Sequence, residues 1–73
     1  MSNGNSFGKF ETLILQITYK SRRPMSIREI AEKADLSWVT CRKYTKNLIA
    51  RKLLLWDKSG KRKRAVFNFE MLD

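Results

Sequence analysis

Two serines bracket a short helix and fix both of its boundaries. Ser26-Ile27-Arg28-Glu29 is a Ser-x-x-Glu capping pattern, in which hydroxyl and carboxylate satisfy orphan amides reciprocally. Ile27, Ile30, Ala31 and Ala34 then share one helical face, leaving Arg28, Glu29, Glu32 and Lys33 to solvent. Asp35-Leu36 breaks the pattern, and Ser37 caps a longer helix that runs to about Arg51. The first of the two is therefore held to about eight residues, joined by a tight turn to its partner. That is the layout of a helix-turn-helix.

The flanks complete one small domain. Residues 1–6 are small and polar and are expected to be a flexible N-terminus, with Asn5 or Ser6 as the cap of a first helix. Residues 7–73 form the domain. Phe7, Phe10, Leu13, Ile14 and Ile17 recur at i, i+3, i+4, i+7 spacing, predicting a helix that ends near Tyr19–Ser21. Pro24 disfavours helix in the residue before it, so Arg22–Ser26 is extended, with room for a short strand at 24–26. After the capped pair the period changes. Leu53–Asp57 reads as a strand, Lys58–Lys63 as a loop with Gly60 at its tip, and Arg64–Met71 as a second strand in which Ala65, Phe67, Phe69 and Met71 alternate with polar or outward residues. The expected fold is α+β but mainly α: three helices, then a two-stranded hairpin standing off as a wing.

Charge selects the partner. Lys and Arg total 16 against 7 acids, a net +9. Residues 42–64 hold ten of those cations and one acid, Asp57, while the remainder balances at six against six. So concentrated a field calls for a polyanion, with nucleic acid ahead of an acidic membrane surface. The longest unbroken apolar run, Leu53–Trp56, is far short of the roughly 20 residues a membrane span needs. No basic stretch followed by an apolar one opens the chain, so a cytoplasmic, nucleoid-associated protein is expected, with no membrane partner. There is no His and one Cys, which removes the usual zinc sites and the means of activating Cys41 as a nucleophile. No catalytic residue, metal or cofactor is expected, and no enzyme.

The third helix has two faces. At about 100° per residue, Cys41, Tyr44, Thr45 and Leu48 form one stripe, while Val39, Arg42, Lys43, Lys46 and Ala50 lie opposite. Val39 and Leu48 cannot both be core. Leu48 has the stripe, so Val39 is exposed and available to a thymine methyl, or else half-covered by Leu36. Candidate DNA contacts are Ser37, Trp38, Val39, Thr40, Arg42, Lys43 and Lys46 from this helix, with Lys61, Arg62, Lys63 and Arg64 from the hairpin loop, alongside Lys58. Arg42 and Lys43 suit guanine O6 and N7, and Thr40 a base edge or a phosphate. Ser37 serves the helix cap first. Trp38 either seals the helix–hairpin junction, which is the preferred reading, or stacks on sugar or base. Trp56 is expected to pack in the hairpin and Tyr44 in the core. Arg22, Arg23 and Arg28 are secondary candidates for backbone contacts.

The stretch SIREIAEKADLSWVTCRKYTKNLIARKLLLWDKSGKRKRAVFNF resembles the winged helix-turn-helix domains of bacterial and archaeal transcription regulators, over about Met25–Phe69. Its size and charge also resemble small basic proteins of archaeal viruses and plasmids. The resemblance implies double-stranded DNA as partner, the third helix in the major groove, and the wing on backbone or minor groove. It departs from the pattern at Lys52, where many such regulators carry Gly; a third helix one turn longer would accommodate the lysine. A homodimer through the first helix would double the footprint, using Phe7 and Phe10. Two further classes share the same features: a non-specific, chromatin-like nucleic-acid-binding protein, and a winged-helix module that binds an acidic protein.

Overall fold

The computed structural model describes residues 8–72. Its helices are α1 (Lys9–Ser21), α2 (Ile27–Ala34) and α3 (Trp38–Ala50). The strands β1 (Leu54–Asp57) and β2 (Arg64–Phe67) pair antiparallel, and a 3-10 turn, Phe69–Leu72, closes the described chain. This is the winged-helix α+β layout. No helix among the described residues is long and apolar enough to cross a membrane.

α1 starts later than the polar residues before it suggest. Gly8 is the cap, not Asn5 or Ser6, and its N–H donates to the Glu11 carboxylate at 3.0 Å. The expectations for residues 1–6 and Phe7 lie outside the described residues. Ser26 caps α2 as expected, accepting from Glu29 N–H at 3.1 Å. The Glu29 carboxylate does not complete the box, because Arg23 holds it at 2.6 Å and keeps it below the usual carboxylate range. Ser37 caps α3, accepting from Thr40 N–H at 3.2 Å.

All three helices end at a left-handed residue that is not glycine: Arg22, Asp35 and Lys52, at φ 59°, 58° and 66°. Each turns the chain so that the last carbonyls find donors. After α2, Leu36 N–H reaches Ala31 O at 2.9 Å; after α3, Leu53 N–H reaches Leu48 O at 3.0 Å and Lys52 N–H reaches Ile49 O at 3.0 Å. Lys52 therefore takes the conformation a glycine would take, and α3 does not run on to accommodate it. A side chain in this region costs roughly 1–2 kcal/mol. Lys52→Gly is accordingly expected to raise stability by about 0.5–1 kcal/mol, once the greater freedom of glycine in the unfolded chain is subtracted. A urea titration checks this: the midpoint moves up with an unchanged slope, whereas a lower midpoint would mean that the lysine side chain holds something in place.

The same motif delays β1, since Leu53 is still closing α3. β2 is shorter than its alternation suggests, ending at Phe67. Asn68 ends it. Its side-chain amide donates to Lys52 O at 2.8 Å and its side-chain oxygen accepts from Glu70 N–H at 3.2 Å, turning Phe69–Leu72 into the 3-10 turn. Phe69 and Met71 are thus not strand residues. Phe69 packs in an aromatic cluster with Tyr19 and Phe67, with ring centroids 5.6 and 4.9 Å away.

Met25 supplies the short third strand as a single antiparallel bridge to Ala65. The core lies between the three helices and the inner face of the hairpin. Ile14, Met25, Ile30, Cys41, Leu48, Leu54 and Ala65 are fully buried there. Thr18 and Thr45 are buried with them, the Thr18 hydroxyl donating back to Ile14 O at 2.9 Å. Cys41 is a packed thiol, its Sγ 3.7 Å from Ile27 O, and burial pushes its pKa up, away from the reactive thiolate.

Candidate nucleic-acid interface

The bridge at Met25 decides where the wing stands. Met25 N–H donates to Ala65 O at 2.8 Å and Ala65 N–H returns to Met25 O at 2.7 Å. Because the pairing is antiparallel, residues just after Met25 run beside residues just before Ala65. Ser26, Ile27 and Arg28 at the start of α2 thus face Arg62 and Lys63 of the wing, and Trp38 in the first turn of α3 closes the third side. Together they line an open cleft of about 410 Å³.

Along α3 the division of faces is as the periodicity predicts. Cys41, Thr45 and Leu48 are fully buried and Tyr44 is half-buried, while Val39 is 71% exposed. Arg42, Lys43 and Lys46 are exposed on the outer side with it. Leu36 does not cover Val39. The Arg42 guanidinium sits over the Trp38 ring, 5.6 Å from its centroid, one turn above it on the flank beside the wing. Lys43 lies on the other flank. Its amine is 5.8 Å from the centre of the Tyr44 ring, which packs on Phe10 of α1 at 5.7 Å. The surface therefore runs from Lys43 across Val39 and Lys46 to Arg42, Trp38 and the wing.

Trp38 departs from the preferred sequence reading. It does not seal the helix–hairpin junction but is 53% exposed. The hairpin is tied to Met25 through Ala65, one pair from its loop, and is not laid over the first turn of α3, while Ile49 and Trp56 pack half-buried against the core. Two hydroxyls are less available than their positions suggest. Ser37 Oγ donates to Thr40 Oγ1 at 2.9 Å while accepting from Thr40 N–H, so both side chains serve the cap.

In the wing, Lys58, Lys61, Arg62, Lys63 and Arg64 are all exposed. The Lys63 amine rests 5.7 Å from the centre of the Trp56 ring, which props the returning strand of the loop. Asp57, the one acid of this segment, accepts from Ser59 N–H at 3.2 Å and from Ser59 Oγ at 3.0 Å, shaping the entry to the loop. Among the secondary candidates only Arg28 reaches the interface. Arg23 is paired with Glu29, and Arg22 lies over Tyr19 and Phe69, 5.8 and 5.6 Å from their ring centres. In the sequence Arg28 is legible only as a cation on the solvent side of α2 and a secondary candidate for backbone contacts. A two-bond bridge at Met25 brings it to the wing, and the one sequence signal for that bridge is an apolar residue between Pro24 and a helix cap.

Compared with protein-family models and with curated proteins, the chain finds no match.

Proposed function

We propose that the chain binds double-stranded DNA sequence-specifically, as a transcription regulator. In this reading α3 enters the major groove and residues 58–64 lie on the backbone or in the minor groove. The groove is about 12 Å wide and a helix with its side chains about 10–12 Å across, so the diameter of α3 fits the groove. The observation that carries the reading is the cleft shared by Arg28, Trp38, Arg62 and Lys63, which joins the exposed face of α3 to the wing in one cationic surface. With Ser37 and Thr40 bonded to each other, base reading falls to Val39, Arg42, Lys43 and Lys46. The proposal carries with it a cytoplasmic, nucleoid-associated location. Pairing of two copies through α1 also belongs to it, although Phe10 is half-buried against Tyr44 and has less to offer a partner than its spacing implies.

Selection of bound duplexes from a random pool tests this directly. An enriched motif is expected, and Arg42→Ala should relax the preference at one base pair by about 1–3 kcal/mol while leaving the others. The engagement of Ser37 with Thr40 favours a second reading, a chromatin-like binder held by phosphates alone. Under it no motif is enriched, and Arg42→Ala weakens every sequence alike.

A further inference from the structure

Trp38 is the feature that duplex binding leaves unexplained. A base inside a duplex offers a protein only its edge, because both its faces are covered by neighbouring pairs. An indole ring beside a groove can meet edges, sugars and phosphates, yet Trp38 is 53% exposed and borders a hollow. Three cations, Arg28, Arg62 and Lys63, stand around that hollow with it. Arg42 lies over the ring but is not part of the cleft wall, so the indole is held by one cation and faced by three others. The volume, about 410 Å³, is at the low end of the range of small-molecule sites, roughly 300–1,000 Å³, and matches a single nucleotide better than a length of helix.

A second hollow sharpens the comparison. Lys20, Lys33 and Arg23, the last already paired with Glu29, border it together with Ile17 and Ser21, so it too gathers cations but has no aromatic ring. Charge alone attracts phosphate at either place. Charge with an exposed aromatic face occurs where α3 meets the wing, and that pairing is what unstacked bases require: cations for the backbone and a π-face for the base.

We infer that this cleft takes one unpaired nucleotide of the bound DNA, its base stacked on Trp38 and its phosphate held among Arg28, Arg62 and Lys63. The inference rests on the DNA-binding reading and deepens it: the preferred ligand is a duplex with an unpaired nucleotide at its end or fork, next to the segment gripped by α3. Ile27, half-buried at the base of the cleft, gives the sugar or base an apolar floor.

The test uses the full chain and three probes at one salt concentration: a blunt duplex, the same duplex with a single-nucleotide thymidine overhang, and that overhang with the base removed but the phosphate kept. The overhang should bind about tenfold tighter than the blunt duplex, within the range base–aromatic stacking supplies, and the abasic probe should lose most of the gain. In Trp38→Leu, checked for folding by circular dichroism, the ratio of overhang to blunt affinity should fall to about one. Equal binding of all three probes by the unaltered chain overturns the inference and leaves duplex binding intact. An overhang preference that survives in Trp38→Leu or on the abasic probe also overturns it, the first by placing the nucleotide elsewhere and the second by reducing the site to a phosphate contact. No binding to any probe at low salt removes the DNA-binding reading itself.

Discussion

Duplex affinity is expected to fall about a thousandfold between roughly 50 and 200 mM salt, because neutralising about six phosphates gives a log–log slope near −5. The cations that supply this slope are those the fold leaves exposed on one surface: Arg28, Arg42, Lys43 and Lys46 on the helices, and Lys58 with Lys61, Arg62, Lys63 and Arg64 in the wing. More candidates are present than the slope requires, since Lys63 also rests on Trp56 and Lys43 on Tyr44. Replacing Lys61, Arg62, Lys63 and Arg64 together by alanine should cut the slope by roughly three, about 0.9 each for Lys61, Arg62 and Arg64, since Lys63 already rests on Trp56. Arg23→Ala should leave it unchanged, because Arg23 is committed to Glu29 at 2.6 Å and borders the hollow beside Ile17 and Lys33, not the cleft beside the wing. Titration by fluorescence anisotropy across that salt range measures both. A slope near zero in the unaltered chain would remove the electrostatic basis of DNA binding, and a slope that Arg23→Ala lowered as much as a wing substitution would show that the net charge matters and its placement does not.

That contrast between Arg23 and the wing marks where the sequence is transparent and where it is not. Serine caps and 3.6-residue periodicity act within a few residues, so Ser26, Ser37 and the buried stripe of Cys41, Thr45 and Leu48 can be read directly. The alternation of Ala65, Phe67, Phe69 and Met71 also looks local, but its outcome depends on Asn68 reaching the carbonyl of Lys52 from the far side of the hairpin. No period-2 count contains that bond. The helix ends are hidden for a different reason. The signal for a left-handed cap is glycine, and here Arg22, Asp35 and Lys52 take that conformation while none of the described glycines does. Trp38 misleads because large apolar residues usually belong to a core, and its exposure comes from the place where the wing is anchored. The anchor is Met25: Pro24 leaves room for a short strand at 24–26, but its partner Ala65 lies far along the chain, and composition and spacing do not encode that pairing.

The division of α3 into two faces is the step on which the interface depends, and a pair of substitutions tests it with opposite outcomes. Leu48→Ala should cost about 2–5 kcal/mol, since the side chain is fully buried and its removal leaves a cavity in the cluster it shares with Ile14, Ile30 and Leu54, which the surroundings close only in part. A chain of this length has a total stability of roughly 4–11 kcal/mol, so the variant would lose a large share of its margin or unfold at room temperature. Leu48 also supplies the carbonyl that accepts from Leu53 N–H, and slackening that helix end would loosen the start of β1 and hence the wing. Val39→Ala, at 71% exposure on the opposite face, should stay within about 0.5 kcal/mol of the parent. Urea midpoints for the two variants decide the matter. The reverse order, with Val39 costly and Leu48 neutral, would turn α3 by half a revolution, bury Arg42 and Lys46, and leave no helix face to enter a groove.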